Sequence, residues 1–316
     1  MRKRLLCLLI CLLLPLSAAA ELLPSLYAAT LSQDTRMRLT PEDTGRTLPL
    51  IKSGEAVLVH RWAEDWCLCS YAGKAGYLPT ERLFEYIALA EAPLPRWQRL
   101  GGMGRITREV FATVEGYSGN TFRPGDLVAL IDETGLMTMH RSVTALPADA
   151  FDYTPFPDPA AAEPGDILYA ATTYYNDETG GDLGPGRRHN IELAAQRIHG
   201  TVLSPGETFS YNALCAPYDK YNGYQKAPNI SVSGVGVSGG VCQVSTTLFN
   251  AMLGLDIELG EFHVHRASGV EYAPLNFDCA VASFRDFTFV NTLDIPLRIE
   301  AYTQQGVLTV AFLCAE

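Results

Sequence analysis

The chain has 316 residues, 47% of them hydrophobic and 19% charged, which is typical of a globular protein with at least one sizeable core rather than a disordered or fibrous one. Asp and Glu number 35 against 24 Lys and Arg, so the formal net charge at pH 7 is −11. An acidic chain without a basic patch repels nucleic acid, which is therefore excluded as a partner.

The N-terminal residues MRKRLLCLLICLLLPLSAAAE have the parts of a secretory signal peptide. Basic residues precede an apolar run over residues 5–16, and the alanines at 18–20 offer a cleavage site before Glu21. The run is short for a transmembrane helix, and an uncleaved anchor is the alternative. Loss of residues 1–20 leaves 21 basic against 35 acidic residues, a net charge of −14. We expect a secreted or extracytoplasmic mature chain with no integral membrane segment.

Six cysteines stay in the mature chain, and outside the cytoplasm disulfides are permitted. Six cysteines allow fifteen complete pairings, so the sequence leaves the pairing open. Cys67 and Cys69 are two residues apart, so in a strand they share one face and are poorly placed to bond each other. None of the spacings is a zinc-ribbon pattern. The six are Cys67, Cys69, Cys215, Cys242, Cys279 and Cys314.

Residues 21–90 consist of short predicted strands separated by turns. A Ser-Gly turn precedes a mostly apolar strand at residues 55–59, Asp65-Trp66 opens another strand, and a glycine-rich turn leads into Tyr-Leu-Pro at 77–79. This order of segments resembles a bacterial SH3-like barrel. In secreted bacterial proteins such barrels commonly attach enzymes to peptidoglycan, so the resemblance implies a contact with the cell wall. A barrel that serves only for packing is the alternative.

The next segments predict a second small β module over residues 91–145 and a linker over residues 146–163. In the first, a Pro-Gly-Asp turn precedes an apolar strand at 127–131 and a further turn at 133–135. In the second, repeated prolines and the alanines at 160–162 predict an extended chain. A domain boundary is therefore expected near residue 163.

Residues 164–316 predict an α+β domain, with one or two helices packed on a mostly antiparallel sheet. Apolar residues recur at helical spacing in RRHNIELAAQRIHG, with Asn190 as N-cap and Gly200 as terminator. A second helix is expected after the glycines that precede Cys242. The predicted strands cover residues 167–173, 261–265, 279–284, 287–291, 296–302 and 307–312.

Cys242 is the candidate nucleophile. At the start of a helix, unsatisfied N–H groups and the helix dipole favour the thiolate over the thiol. The paired glycines permit sharp backbone geometry and leave room for a substrate, and the N–H of Gln243 or of a neighbour can stabilise an oxyanion. The candidate substrate-binding residues are Gly239, Gly240, Gln243, Ser245, Thr246 and Asn190.

A nucleophilic cysteine needs a base and a group that orients the base. With a strand period of two, Glu261, His263 and His265 share one face, and either histidine can serve as the base. Asp278, near the next predicted strand, is the orienting carboxylate. The order of cysteine, histidine and acid is similar to that of transglutaminase-like and papain-like hydrolases.

Four segments, HNIELAAQRIHGTVLSPGETFSYN, GYQKAP, GGVCQVSTTLFNAML and DFTFVNTLDIPLRIEA, together resemble the VanW family. The resemblance covers about residues 165–312. The family is named from vancomycin-resistance gene clusters and occurs in bacterial envelope proteins, which implies a location at the cell wall. The chain departs from the family pattern at Ser238, Phe262, Val264 and Arg266. These departures leave Cys242, His263, His265 and Asp278 in place, and leave open which histidine faces the site.

The leading hypothesis is a cysteine-dependent amide hydrolase or acyl transferase of transglutaminase-like type, whose partner is peptidoglycan or its peptide stems. A non-catalytic module that binds muropeptides and is linked to the response to glycopeptide antibiotics is the alternative. A zinc site built on both histidines and Glu261 is less favoured, and we assign no metal ligand and no cofactor. A disulfide from Cys242 to Cys215 or Cys279 is the structural alternative. The oligomeric state does not follow from the sequence.

Overall fold

A computed structural model of the chain describes residues 27–38, 47–61, 66–71, 74–88, 100–115, 117, 119–140, 142–175, 184–229, 234–255, 257–263, 265, 270–273 and 278–316. The signal peptide predicted over residues 1–20 lies outside these residues. The described chain is rich in antiparallel sheet, and its helices are α1 (Gly184–Ile198), α2 (Tyr211–Cys215) and α3 (Val241–Met252). No helix in the described part is long and apolar enough to span a membrane.

The N-terminal strands form an antiparallel sheet in the order β3-β2-β6-β5-β4-β1-β7. Alternate residues of β4 face different cores: Val57 and Val59 pack inside this sheet, whereas Leu58 joins the core of the C-terminal part. Cys67 and Cys69 share the inner face, as their spacing predicts. The strands are β1 (Tyr27–Leu31), β2 (Thr35–Arg38), β3 (Thr47–Ile51), β4 (Ala56–Arg61), β5 (Trp66–Tyr71), β6 (Lys74–Pro79) and β7 (Leu83–Ala88).

The middle segment is also built from short antiparallel strands around its own apolar core. The structure differs here from the predicted linker over residues 146–163, because residues 151–155 pair with β8 as the edge strand of the sheet β11-β8-β14. Apolar Phe151 is buried in the core, which explains why this proline-containing stretch is held in a sheet. The strands are β8 (Gly102–Ile106), β9 (Val110–Ala112), β10 (Asn120–Phe122), β11 (Leu127–Leu130), β12 (Leu136–Met139), β13 (Ser142–Ala145) and β14 (Phe151–Pro155).

The C-terminal part is centred on the antiparallel sheet β15-β23-β22-β16, whose strand β23 is buried on both faces. Leu308, Val310 and Phe312 face the core that α1 and α3 cover, whereas Ala311 packs against the middle segment. The strands are β15 (Ile167–Tyr174), β16 (Val202–Leu203), β17 (Thr208–Ser210), β18 (Ala227–Pro228), β19 (Val235–Gly236), β20 (Glu258–Leu259), β21 (Thr288–Val290), β22 (Leu297–Gln304) and β23 (Val307–Cys314).

Several sequence predictions for this part need correction. Helix α1 begins at Gly184, so Asn190 lies inside the helix and is not its N-cap. Gly200, with φ of +80°, adopts the left-handed conformation expected of the predicted terminator. The strand predicted over residues 261–265 is absent from the described residues, because β20 ends at Leu259. Within the strand predicted over 279–284, the pairing is limited to a bridge between Ala282 and Arg285.

Candidate active site

Cys242 is the second residue of helix α3, two positions after the Gly240 N-cap. Gly240 has φ of +100°, and a Cβ there would lie 2.8 Å from the carbonyl oxygen of Arg187, so both conformation and space require glycine. The Cys242 side chain is half-buried, and its Sγ lies 3.5 Å from the backbone N of Val281, which donates to it. The sulfur thus lies in the first turn of a helix, beside the Val281 backbone, whose carbonyl is also 3.5 Å from it and can accept from the thiol.

His265 and Asp278 form a buried pair beside Cys242. The Nδ1 of His265 is 2.7 Å from Oδ2 of Asp278, and the backbone N–H of His265 donates to the same oxygen, also at 2.7 Å. Asp278 is 1% exposed. Because Nδ1 is held by the carboxylate, Nε2 is the ring nitrogen left for the interaction of His265 with the Cys242 side chain.

The pKa of His265 is raised to about 10. Burial of the ring opposes its protonation, but the hydrogen bonds to Asp278 and Cys242, together with the negative charges of both partners, outweigh burial. At neutral pH the ring is therefore an imidazolium, with the Asp278 carboxylate on one side and the Cys242 sulfur on the other.

His263 is turned to a different set of partners. Its Nε2 is 2.9 Å from Oε1 of Glu261, and its ring meets Tyr71 edge-on with the centroids 6.5 Å apart. The two histidines have different partners, and the described residues 261–263 and 265 are not in the regular strand that would place both rings on one face. Of the bases that the sequence left open, the structure thus brings His265, and not His263, to Cys242 and Asp278.

Ser245 and Thr246, predicted to bind substrate, are fully buried and bind the backbone of Cys279 instead. The Ser245 hydroxyl donates to the Cys279 carbonyl at 2.7 Å, and the Cys279 N–H donates to Thr246 Oγ1 at 2.9 Å. These bonds fasten the segment that starts at Asp278 along helix α3. Their role here is to fix the carboxylate relative to Cys242.

Gln243 is also fully buried, which contradicts a side-chain contact with substrate. Its Nε2 donates to the carbonyl of Tyr174 at 2.9 Å, and its Oε1 accepts from Arg187 at 2.6 Å. Its backbone N–H, which the sequence offered as an oxyanion donor, donates to the Gly240 carbonyl at 3.0 Å. The N–H of Val281, directed at the sulfur, is a donor that the sequence did not indicate.

Asn190 and Gly239 are both in the interior, not at a substrate surface. The Asn190 amide donates to the carbonyls of Gln225, Val237 and Gly239 at 2.9–3.1 Å, and its Oδ1 accepts from the Gln225 N–H at 2.8 Å. A Cβ on Gly239 would lie 2.1 Å from the Pro228 carbonyl oxygen. Asn190 therefore holds the loop that delivers Cys242 to the site.

Arg187 and Tyr272 adjoin the site, and sequence reasoning missed both. The Arg187 guanidinium carbon lies 5.9 Å from the centre of the Tyr272 ring, and Tyr272 hydrogen-bonds Thr246. A signal for Arg187 was present, since a basic residue close to the start of a helix opposes the helix dipole and needs another reason to be there. Tyr272 had no such signal.

The alternative roles for the thiols and histidines find no support in this arrangement. No disulfide joins any two of the six cysteines of the described part, so the predicted alternative of a Cys242 disulfide is wrong for this structure. Burial raises the pKa of Cys215 to about 12 and that of Cys279 well above its usual value, so both remain thiols. Within the described residues no three His, Cys, Asp or Glu side chains gather in a way that would hold a metal ion.

Comparison with known proteins places the site within a recognised domain. Residues 186–313 match the family described as VanW like protein, so the resemblance predicted from the sequence is confirmed over this part of the chain. The match does not extend to residues 21–90. No solved structure matches the chain.

Curated relatives share this similarity over part of their length. The chain is 35% identical over 148 residues to the uncharacterized protein YoaR of Bacillus subtilis (strain 168), covering 46% of each. It is 34% identical over 79 residues to the vancomycin B-type resistance protein VanW of Enterococcus faecalis (strain ATCC 700802 / V583), covering 24% of this chain and 29% of that protein. The chain thus aligns with less than half the length of these relatives.

Proposed function

We propose that residues 164–316 form a cysteine-dependent acyl-transfer domain that cleaves or exchanges an amide bond in the peptide stems of peptidoglycan. The observation that carries the proposal is the position of His265, whose Nδ1 is held 2.7 Å from Asp278 and whose ring interacts with the Cys242 side chain. A nucleophile, a base and a buried orienting carboxylate in this relation are the groups that covalent acyl transfer needs.

The chemistry begins from the thiolate of Cys242 and the imidazolium of His265. The thiolate attacks the amide carbonyl, a thioester forms, the C–N bond breaks, and the proton of Nε2 passes to the leaving amine. Water or a second amine then attacks the thioester and returns a proton to His265, which restores the original pair. The N–H of Val281, 3.5 Å from the sulfur, is the backbone group that we assign to the developing oxyanion.

The choice of a wall peptide as substrate has independent support. The predicted signal peptide sends the chain outside the cytoplasm, where such peptides occur. One relative of the VanW-like domain is named a vancomycin B-type resistance protein. We further propose that the N-terminal sheet is an SH3-like module that holds the chain on the wall, and that residues 91–145 are a second β module. Tyr71 of the N-terminal sheet contacts His263, so the module adjoins the site.

The test is to incubate the chain, without its predicted signal peptide, with soluble muropeptides and to follow the products by mass spectrometry. We expect a cleaved or exchanged product with the unchanged protein, a loss of that product in Cys242→Ala, and a thioester adduct on Cys242 in the intact-mass spectrum. His263→Ala serves as the matched control and retains the product.

The binding-module alternative makes the opposite prediction. Saturable binding to purified sacculi that survives Cys242→Ser, with no new product from the unchanged protein, would contradict the enzymatic proposal and favour a non-catalytic muropeptide-binding domain.

A further inference from the structure

The Arg187 guanidinium lies near Cys242 and has no carboxylate partner among the described residues. Arg187 lies against Gly240 and Gln243, which stand two positions before and one position after the cysteine: its Cγ would be 3.3 Å from a Cβ on Gly240, and its Nη2 donates to Oε1 of Gln243 at 2.6 Å. The side chain also lies over the ring of Tyr272. These contacts fix the position of the guanidinium beside the thiol and leave most of its N–H donors unused within the described residues.

Arg187 is partly buried, and among the residues that the structure describes no carboxylate forms an ion pair with it. Burial lowers the pKa of Arg187, and the opposing influences are its electrostatic interactions with Tyr272, Tyr175, Glu271 and Cys242. A partly desolvated cation of this kind is costly unless an anion pairs with it. The neutral amide of Gln243 satisfies one donor but does not balance the charge.

The fork of N–H groups on a guanidinium matches a carboxylate, to which it can donate in a bidentate manner. Since the chain carries 35 acidic against 24 basic residues, an anionic peptide is repelled at long range and needs a local cation in the site. We propose that Arg187 binds a carboxylate of the peptide substrate, so that the domain acts on peptides that carry a free carboxylate close to the carbonyl that Cys242 attacks.

This inference rests on the proposed function for its substrate class, but binding can be measured without turnover. The protein for the test is Cys242→Ala, lacking the predicted signal peptide. The probes are a synthetic stem tetrapeptide and a series of analogues in which each carboxylate in turn is converted to the carboxamide. Affinity is measured by calorimetry.

We expect one amidation to weaken binding by about 10- to 100-fold, the loss typical of a hydrogen bond to a charged group, and the others to have little effect. When Arg187→Gln is added to the Cys242→Ala protein, the unmodified tetrapeptide and the sensitive amidated analogue should bind with the same weak affinity. Arg187→Lys should restore part of the preference because it restores the charge. Arg188→Gln, at the adjacent position of the same helix, is the matched control and should keep the full preference.

The inference is overturned if the tetrapeptide does not bind at millimolar concentration, if no amidation weakens binding, or if Arg187→Gln still distinguishes acid from amide. To exclude a merely structural effect, Arg187→Gln must show the thermal unfolding of the parent protein. If it fails this check, the comparison of Arg187→Lys with the parent decides: equal affinity for acid and amide in Arg187→Lys overturns the inference.

Failure of this inference differs from failure of the proposed function. If Arg187 distinguishes the acid from the amidated peptide but the unchanged protein forms no product, the carboxylate site is supported and the enzymatic proposal is contradicted. If the unchanged protein forms product from the acid and the amidated peptides at equal rates, only the proposed carboxylate site is contradicted.

Discussion

Replacing Asn190 with alanine should strongly destabilise the C-terminal part of the chain. The fully buried amide binds three backbone carbonyls and one N–H among the described residues, and these belong to Gln225, Val237 and Gly239, which precede Cys242 in the chain. Alanine would leave these backbone groups without their partner in the interior. With about 1 kcal/mol for each lost bond, and more where no water can enter, we expect a loss of about 3–5 kcal/mol in the free energy of unfolding.

The measurement is chemical denaturation monitored by intrinsic fluorescence, with the free energy taken from the transition midpoint and slope. Gln196→Ala is the matched control, since Gln196 is exposed on the same helix, and it should change stability by no more than about 0.5 kcal/mol. A loss below about 1 kcal/mol in Asn190→Ala would refute the reasoning, because it would mean that the hydrogen bonds to Gln225, Val237 and Gly239 are replaced at little cost.

Two further predictions concern the site itself. Gly240→Ala should lower the free energy of unfolding by about 2–4 kcal/mol, because of the left-handed conformation and the contact with the Arg187 carbonyl. Gly165 has a similar φ but open space around it, so Gly165→Ala should lower the free energy of unfolding by only about 1–2 kcal/mol. Equal losses of the two variants in chemical unfolding would contradict the close contact at Gly240. The pKa of His265 is raised from 6.5 to about 10, so the protonated ring stabilises the folded protein. This stabilisation is fully present below about pH 6.5 and is lost as the pH rises through about 10. The difference in unfolding free energy between the unchanged protein and His265→Gln should therefore shrink across that window by about 1.4 kcal/mol per pH unit, and a difference that grows with pH would show that the sign is wrong.

Features set by local pattern were the ones that sequence could predict. The strand expected over residues 167–173 is β15, and that over 307–312 lies within β23. Gly200 ends α1 as expected, because a left-handed terminator is encoded by glycine alone. The start of α3 next to Cys242 likewise follows from the glycines and the apolar run.

Features set by tertiary contacts were not predictable in this way. The choice between His263 and His265 depends on an irregular segment that period-two reasoning treats as a strand. Ser245 and Thr246 lie on the helix surface that the pattern left open, but the pattern does not show that the backbone of Cys279 covers it. Asn190 is a typical N-cap residue, and its burial follows only from the loop that folds over α1.

The central claim is that His265 activates Cys242, and the rate of Cys242 alkylation by iodoacetamide at pH 6 tests it most directly. Peptide mapping distinguishes this thiol from Cys215 and Cys279, whose burial protects them. Without an imidazolium partner a thiol is mostly protonated at pH 6, so we predict that His265→Ala lowers the rate by at least about tenfold and that His263→Ala leaves it unchanged. An unchanged rate in His265→Ala, or a loss confined to His263→Ala, would contradict the account.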